Sequence, residues 1–147
     1  MIMTIAAPTA TVSKMFVNLP VQNLDQSIAF FKSLGFSINE QFSNEKGACV
    51  VLGEHSYAML LTIPFFETFT TKKTADTKQT TGVLIALAVD SRQAVDAMVN
   101  AAGAAGGTPQ ESSTDHGFMY EWGFEDLDGH MWGPFWMDPN YVQPQEG

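Results

Sequence analysis

KMFVNLPV at residues 14–21, set against VLIALAV at residues 83–89, decides how this chain is read. Both runs are rich in apolar, strand-favouring residues, and each leads directly into a helical stretch, 24–34 after the first and 92–105 after the second. Setting Asn23 on Asp90 puts Gln26 on Gln93, Ile28 on Val95 and Phe31 on Met98. Slipping the strands one residue further puts Leu19 on Leu87 and Val21 on Val89. A long internal repeat fixes the architecture before any single residue is interpreted. Two copies of strand, helix and strands predict a two-module domain with a cleft between the modules.

The remaining sequence completes both copies. Asn23 is placed to cap the first helix, with Gln26 returning a bond in the capping-box manner. Leu24, Ile28, Phe31 and Leu34 recur at helical spacing and make one apolar face, and Gly35 ends the helix. Strands are predicted over 36–42, 48–52 and 57–63, separated by hairpin-length gaps. Residues 64–81 connect the modules; Phe65, Phe66 and Phe69 read as a short helix or flap, and the polar stretch 70–81 as a tether or a lid. In the second copy Asp90 or Ser91 caps a helix with the face Val95, Met98, Val99 and Ala102. A short strand over 108–112 follows, then a hairpin of 118–125 and 130–137 turning on Asp126-Leu127-Asp128-Gly129. Module one therefore covers about 14–63 and module two about 82–139, with tails 1–13 and 140–147.

Composition excludes several function classes. A chain of 147 residues with a 45% hydrophobic fraction supports one core without disulfides. Cys49 is the only cysteine, which excludes an intrachain bridge and a cysteine-based zinc site; in the run ACVVL it reads as a small buried thiol. A net charge of −9 with scattered Lys and Arg argues against nucleic acid, and it favours solubility or a cationic ligand. Residues 1–12 lack the basic start of a signal peptide, and no apolar run reaches membrane-span length, so a cytoplasmic protein with no membrane partner is expected.

Three stretches carry a resemblance: Leu19-Pro20-Val21 with Leu24, Ser27, Ile28, Phe31 and Leu34-Gly35-Phe36; the run Ile85–Asp90; and Phe124-Glu125-Asp126-Leu127-Asp128-Gly129-His130. With these the chain resembles the vicinal oxygen chelate superfamily, the glyoxalase I, bleomycin-resistance and extradiol-dioxygenase group. The last stretch is similar to the family's F-x-D-P-D-G turn, with Leu127 in place of proline. FVNLPV, FFETF, GFMY and FEDLDGH with WMDP resemble most the "predicted lactoylglutathione lyase" branch. The resemblance implies an α+β fold of two tandem βαβββ modules, whose curled mixed sheet encloses a ligand cavity, and a homodimer.

Metal-dependent members hold a divalent ion with His, Glu or Gln from four strands. Carried over, those positions fall on Phe16, Leu60, Leu84 and Gly133, none of which can coordinate. The resemblance therefore implies no metal and no cofactor here, and it leaves lyase, isomerase or dioxygenase activity without its Lewis acid. Strand alternation then assigns Asn18, Ala58, Thr62, Ala86, Ala88, Phe135 and Met137 to the same cavity-facing side as Phe16, Leu60, Leu84 and Gly133. Val17, Leu19, Met59, Leu61, Val83, Ile85, Leu87, Trp132 and Trp136 are assigned to the helix-packed side.

Asn18 stands out as an amide in an apolar strand. His116 and Glu121 are the acid–base candidates, with Tyr120 beside them. Either Met119 and Glu121 or Tyr120 and Trp122 face inward, and the sequence leaves both open. His130 is read as serving its hairpin, and His55 carries no signal. The leading expectation is a small-molecule binding protein for an aromatic or cationic ligand. The alternatives are an enzyme, using displaced oxygens (Asn18, Thr62, Glu121) for a metal or Glu121 or His116 without one, and a structural subunit that binds another protein.

Overall fold

The computed structural model describes residues 10–142; most of the N-terminal tail and residues 143–147 lie outside them. Strand β1 (Met15–Val21) leads into helix α1 (Leu24–Ser33), then β2 (Ser37–Asn44), β3 (Gly47–Val51) and β4 (Ser56–Thr62). These strands lie in the order β1-β4-β3-β2, with β1 parallel to β4 and the other pairs antiparallel. A short helix α2 (Ile63–Glu67) opens the connector and packs on the ends of β1 and β4. Module two runs β5 (Leu84–Ala88), α3 (Arg92–Ala104), β6 (Thr108–Pro109), β7 (Thr114–Asp115), β8 (Met119–Glu121), β9 (Phe124–Glu125) and β10 (Met131–Met137).

Module two repeats the strand order of module one, with two of its lanes broken. Strand β5 lies parallel to β10, whose other edge pairs with β8 and β9. Those two pair in turn with β7 and β6. The predicted strands over 108–112 and 118–125 are each split because the hairpin shifts register between Thr108↔Glu125 and Thr114↔Glu121. In the break the Trp122 indole and the Gln110 backbone and side chain replace ladder bonds: Trp122 Nε1 donates to the Gln110 carbonyl at 2.9 Å, and the Gly123 amide to Gln110 Oε1 at 3.2 Å.

The helices align one residue further along than the sequence comparison placed them. Their caps are Asn23, whose side chain accepts from the Gln26 amide, and Ser91, which accepts from Ala94. Buried Ser27 and Phe31 then correspond to buried Val95 and Val99, at the same spacing as the strands. Ser27 is tolerated in this apolar setting because its hydroxyl donates to Asp128 Oδ2 at 3.3 Å.

Both helices cover one side of the sheets, and the core lies beneath them. Leu19, Val21, Phe30, Phe31, Val50, Ala58, Leu60, Val99, Ala102, Phe124 and Trp132 form one cluster. Aromatic contacts join the modules through it: Phe31 meets Trp132 edge-on with centroids 5.2 Å apart, and Phe30 meets Phe124 at 6.2 Å. Each such pair adds about 0.5–1.5 kcal/mol beyond the area it buries. A polar clip reinforces the join. Asp126 accepts from the Asp128 and His130 amides and from Trp132 Nε1, while Asp128 accepts from the Gln22 amide across the module boundary. Gly129, at φ +84°, makes the turn, and an added Cβ there would press against the Thr77 carbonyl and Lys78 of the connector.

Candidate functional site

Alternation along β10 sends Trp132, Pro134 and Trp136 toward the helices, and Met131, Gly133, Phe135 and Met137 to the open side. Trp132 is buried in the core, and Trp136 lies beneath the Arg92 guanidinium, 4.5 Å from the ring centroid. Strand β5 continues the open side with Leu84, paired to Met131, and Ala86, paired to Gly133. On the other edge Glu121 lies opposite Phe135, and Met119 opposite Met137. This settles the parity of β8: Met119 and Glu121 face the open side. Tyr120 faces α3 instead, where its hydroxyl donates to Asp96 Oδ1 at 2.5 Å and that bond raises the phenol's pKa.

The open side of module two is cupped into a hollow of about 440 Å³. Its walls include Leu84, Ala86, Met119, Met131, Phe135 and Met137, and among the described residues Glu121 is the only side chain along it with a formal charge. Gln110 and Trp122, fixed to each other by the broken hairpin, add polar edges. All of these residues belong to module two.

His116 is not among the residues that line the hollow, but it stands beside Glu121, which is. The tight turn after β7 has the His116 amide donating to the Met119 carbonyl at 2.7 Å, with Gly117 at φ +84°. The turn brings His116 Nε2 to 3.7 Å from Glu121 Oε1, so the two acid–base candidates do converge. Arg92 pins the turn from behind through Asp115 Oδ1 at 3.3 Å and the Gly117 carbonyl at 2.8 Å. The Gly117 amide and the Arg92 guanidinium hold the Asp115 carboxyl below its ordinary value.

A second hollow, of about 190 Å³, lies on the seam between the modules. Asn18 and Pro20 of β1 line one wall, Val83, Ile85, His130 and Met131 the other, and Phe66 with residues from Ala75 to Gly82 of the connector the rest. Thr77 fastens the connector here by donating to the Asp128 carbonyl at 2.7 Å. Of the polar stretch expected as tether or lid, the part from Ala75 onward therefore packs along this seam.

Several expected cavity residues lie elsewhere. Leu60 pairs with Leu19 and is fully buried in the core cluster, and Ala58 lies beside it. The sequence reading had the parity of β4 reversed: Thr62 follows Leu60 and Ala58, while Met59 and Leu61 take the opposite side. Phe16 is on the open side of module one but borders neither hollow; its ring stacks on Tyr57 at 4.7 Å. Val83, expected to pack against a helix, is exposed on the seam. Leu84, Ala86, Gly133, Phe135 and Met137 share the larger hollow, and Asn18 borders the smaller one. Met131 and Gln110 were missed. The parity of Gly133 and Phe135 already pointed to Met131, whereas nothing in the sequence marks Gln110.

The donor set does not fit the metal of the resembled family. Phe16, Leu84 and Gly133 offer no coordinating atom, and on β4 the inward residue Leu60 and its neighbours Met59 and Leu61 supply no imidazole or carboxylate. Among the described residues no group of three or more His, Cys, Asp or Glu side chains is placed to hold an ion. No helix among them is long and apolar enough to cross a membrane.

Comparison with known proteins agrees with this architecture. A family model described as "Bleomycin resistance protein-like N-terminal" matches residues 14–53. A hypothetical protein from S. aureus is 28% identical and superposes with a TM-score of 0.73, covering 86% of this chain and 95% of that one. A glyoxalase/bleomycin resistance protein/dioxygenase family enzyme from Burkholderia phytofirmans is 19% identical with a TM-score of 0.71, covering 87% and 99%. A lactoylglutathione lyase from Agrobacterium tumefaciens is 16% identical with a TM-score of 0.62, covering 88% and 95%. No curated protein matches the sequence significantly.

Proposed function

We propose that this chain, of the vicinal oxygen chelate superfamily, uses the hollow of module two to bind a small, largely apolar molecule that carries a positive charge, without the family metal. One observation carries the reading: an apolar hollow of about 440 Å³ has a carboxylate, Glu121, as its only formally charged lining side chain among the described residues. Apolar walls with few polar groups suit a small-molecule ligand, whose burial supplies affinity while the polar group fixes orientation. A carboxylate beside low-dielectric walls attracts a cation more strongly than it would in bulk water. The net charge of −9 adds long-range attraction of the same sign.

The protein acts as a homodimer in the cytoplasm on this reading. Leu84, at 73% exposed, Phe16 and Met137 leave apolar surface on the open side of the sheets, and a second copy covers it. The buried single thiol Cys49 suits a reducing compartment.

Calorimetry with octylamine and octanol tests the proposal. Octylamine binds the wild-type protein at neutral pH, and Glu121→Gln weakens that binding about tenfold while leaving the melting temperature and the weak binding of octanol unchanged. Equal affinity for amine and alcohol, or no binding of either, would sink it.

The 3.7 Å approach of His116 to Glu121 favours a second reading, metal-free acid–base chemistry by this pair. Turnover of a bound amine that is lost in His116→Gln, with binding intact, would move this reading to first place.

A further inference from the structure

The two hollows are neighbours in a specific way: Ile85 and Met131 line both. Ile85 is a stiff β-branched residue committed to the core side, whereas Met131 stands on the open side of β10, half-buried. Met131 is therefore the movable part of the wall, since an unbranched thioether side chain adapts to what lies against it. On one side of it the larger hollow extends along β10 to Phe135 and, opposite, Glu121. Phe135 lies four positions along the strand from Met131, a distance of about 13 Å. On the other side the seam hollow holds the Asn18 side chain, exposed and without a hydrogen bond to any described residue.

From this arrangement we infer that the two hollows are the two ends of one elongated site, partitioned by Met131. The site takes a long-chain amine that bears an amide or similar hydrogen-bonding group at its far end. The charged end lies at Glu121, the chain crosses Met131, and the far group meets Asn18 beneath the connector. The inference rests on the cationic-ligand reading above and deepens it by naming the class of ligand. Met131 sets the usable length, and Asn18 selects the tail. Thr80 and Thr81 also line this hollow, and threonine hydroxyls suit a polar tail.

The test is a length series of butylamine, octylamine and decylamine, together with the ω-amino amide matching decylamine, titrated into the full-length protein by calorimetry. Affinity is expected to rise about threefold per added methylene along the whole series, and the amide to bind about fivefold tighter than decylamine. Met131→Trp fills the passage, so octylamine and decylamine become equal while butylamine is unaffected. Asn18→Ala, at an exposed position that does not hold the fold together, removes only the preference for the amide. A wild-type profile that flattens at octylamine, or an amide preference that survives Asn18→Ala, overturns the single-site inference and leaves the amine reading standing. Failure of every amine, butylamine included, overturns the underlying reading and this one with it.

Discussion

The imidazole Nε2 of His130 lies 2.8 Å from the carbonyl oxygen of Pro20, so a residue of the second module's hairpin turn closes onto the end of the first module's opening strand. With Pro20 as acceptor, Nε2 must carry the proton. His130 is largely buried, and the bond spans the two modules without any help from chain proximity. His130→Ala leaves the Pro20 carbonyl short of a partner and opens a small void. It should lower stability by about 1–3 kcal/mol in urea unfolding. The transition should also broaden as one of the links between the modules is lost; an unchanged midpoint would show that the bond contributes nothing.

Asp126 offers a pH test with a definite sign. Burial raises its carboxyl pKa above the ordinary 3.8, outweighing the opposing pull of His130 and of the Trp132 and amide donors. A group raised on folding takes up a proton as the chain folds. Its contribution is complete below the unfolded value and fades as pH climbs through the folded one. In Asp126→Asn that contribution is gone, and an amide nitrogen faces Trp132 Nε1, donor against donor. The variant should be about 1–3 kcal/mol less stable. The wild type's advantage should grow as pH falls from neutral toward the carboxylate range. An advantage that shrinks instead would mean that the hydrogen bonds, not burial, govern this carboxyl.

Leu84 tests the assembly. A leucine 73% exposed at the start of an apolar sheet face gains most from being covered. Leu84→Asp should convert a dimer to monomer in sedimentation at micromolar concentration, with little loss in the monomer's own folding. A wild-type protein that already sediments as a monomer would remove the covering copy.

Elemental analysis addresses the metal directly. Protein purified without chelator should carry less than about a tenth of an ion per chain, because side chains of Phe, Leu and Gly bind none of the metals that imidazole and carboxylate select. Stoichiometric zinc, nickel, iron or manganese would reveal a ligand set outside the positions carried over from the resembled family.

Much of the fold was legible because periodicity is a direct imprint of burial. Helix α1 begins at Leu24 as its cap predicts, and β10 places Trp132 toward the core and Phe135 away from it as alternation requires. Strand β4 resisted the same reasoning. Its run Ala58-Met59-Leu60-Leu61 is apolar on both sides, so nothing in it announces which parity meets the helix, and Leu60 and Thr62 lie on the side opposite to the one expected. The broken hairpin was hidden for another reason: the bonds that replace its ladder come from the Gln110 and Trp122 side chains, which propensity does not register. The meeting of His116 with Glu121 depends on cross-strand register within that hairpin, which a tight turn sets and spacing alone does not.

Strand β10 performs two tasks with alternate residues. Trp132 and Pro134 are locked into the interior, while Met131, Gly133, Phe135 and Met137 face the hollow. Changes on that outward set alter volume and polarity where there is room to absorb them, and the interior is spared. The lining of the hollow is thereby uncoupled from the packing of the core, although both are written into the same seven residues.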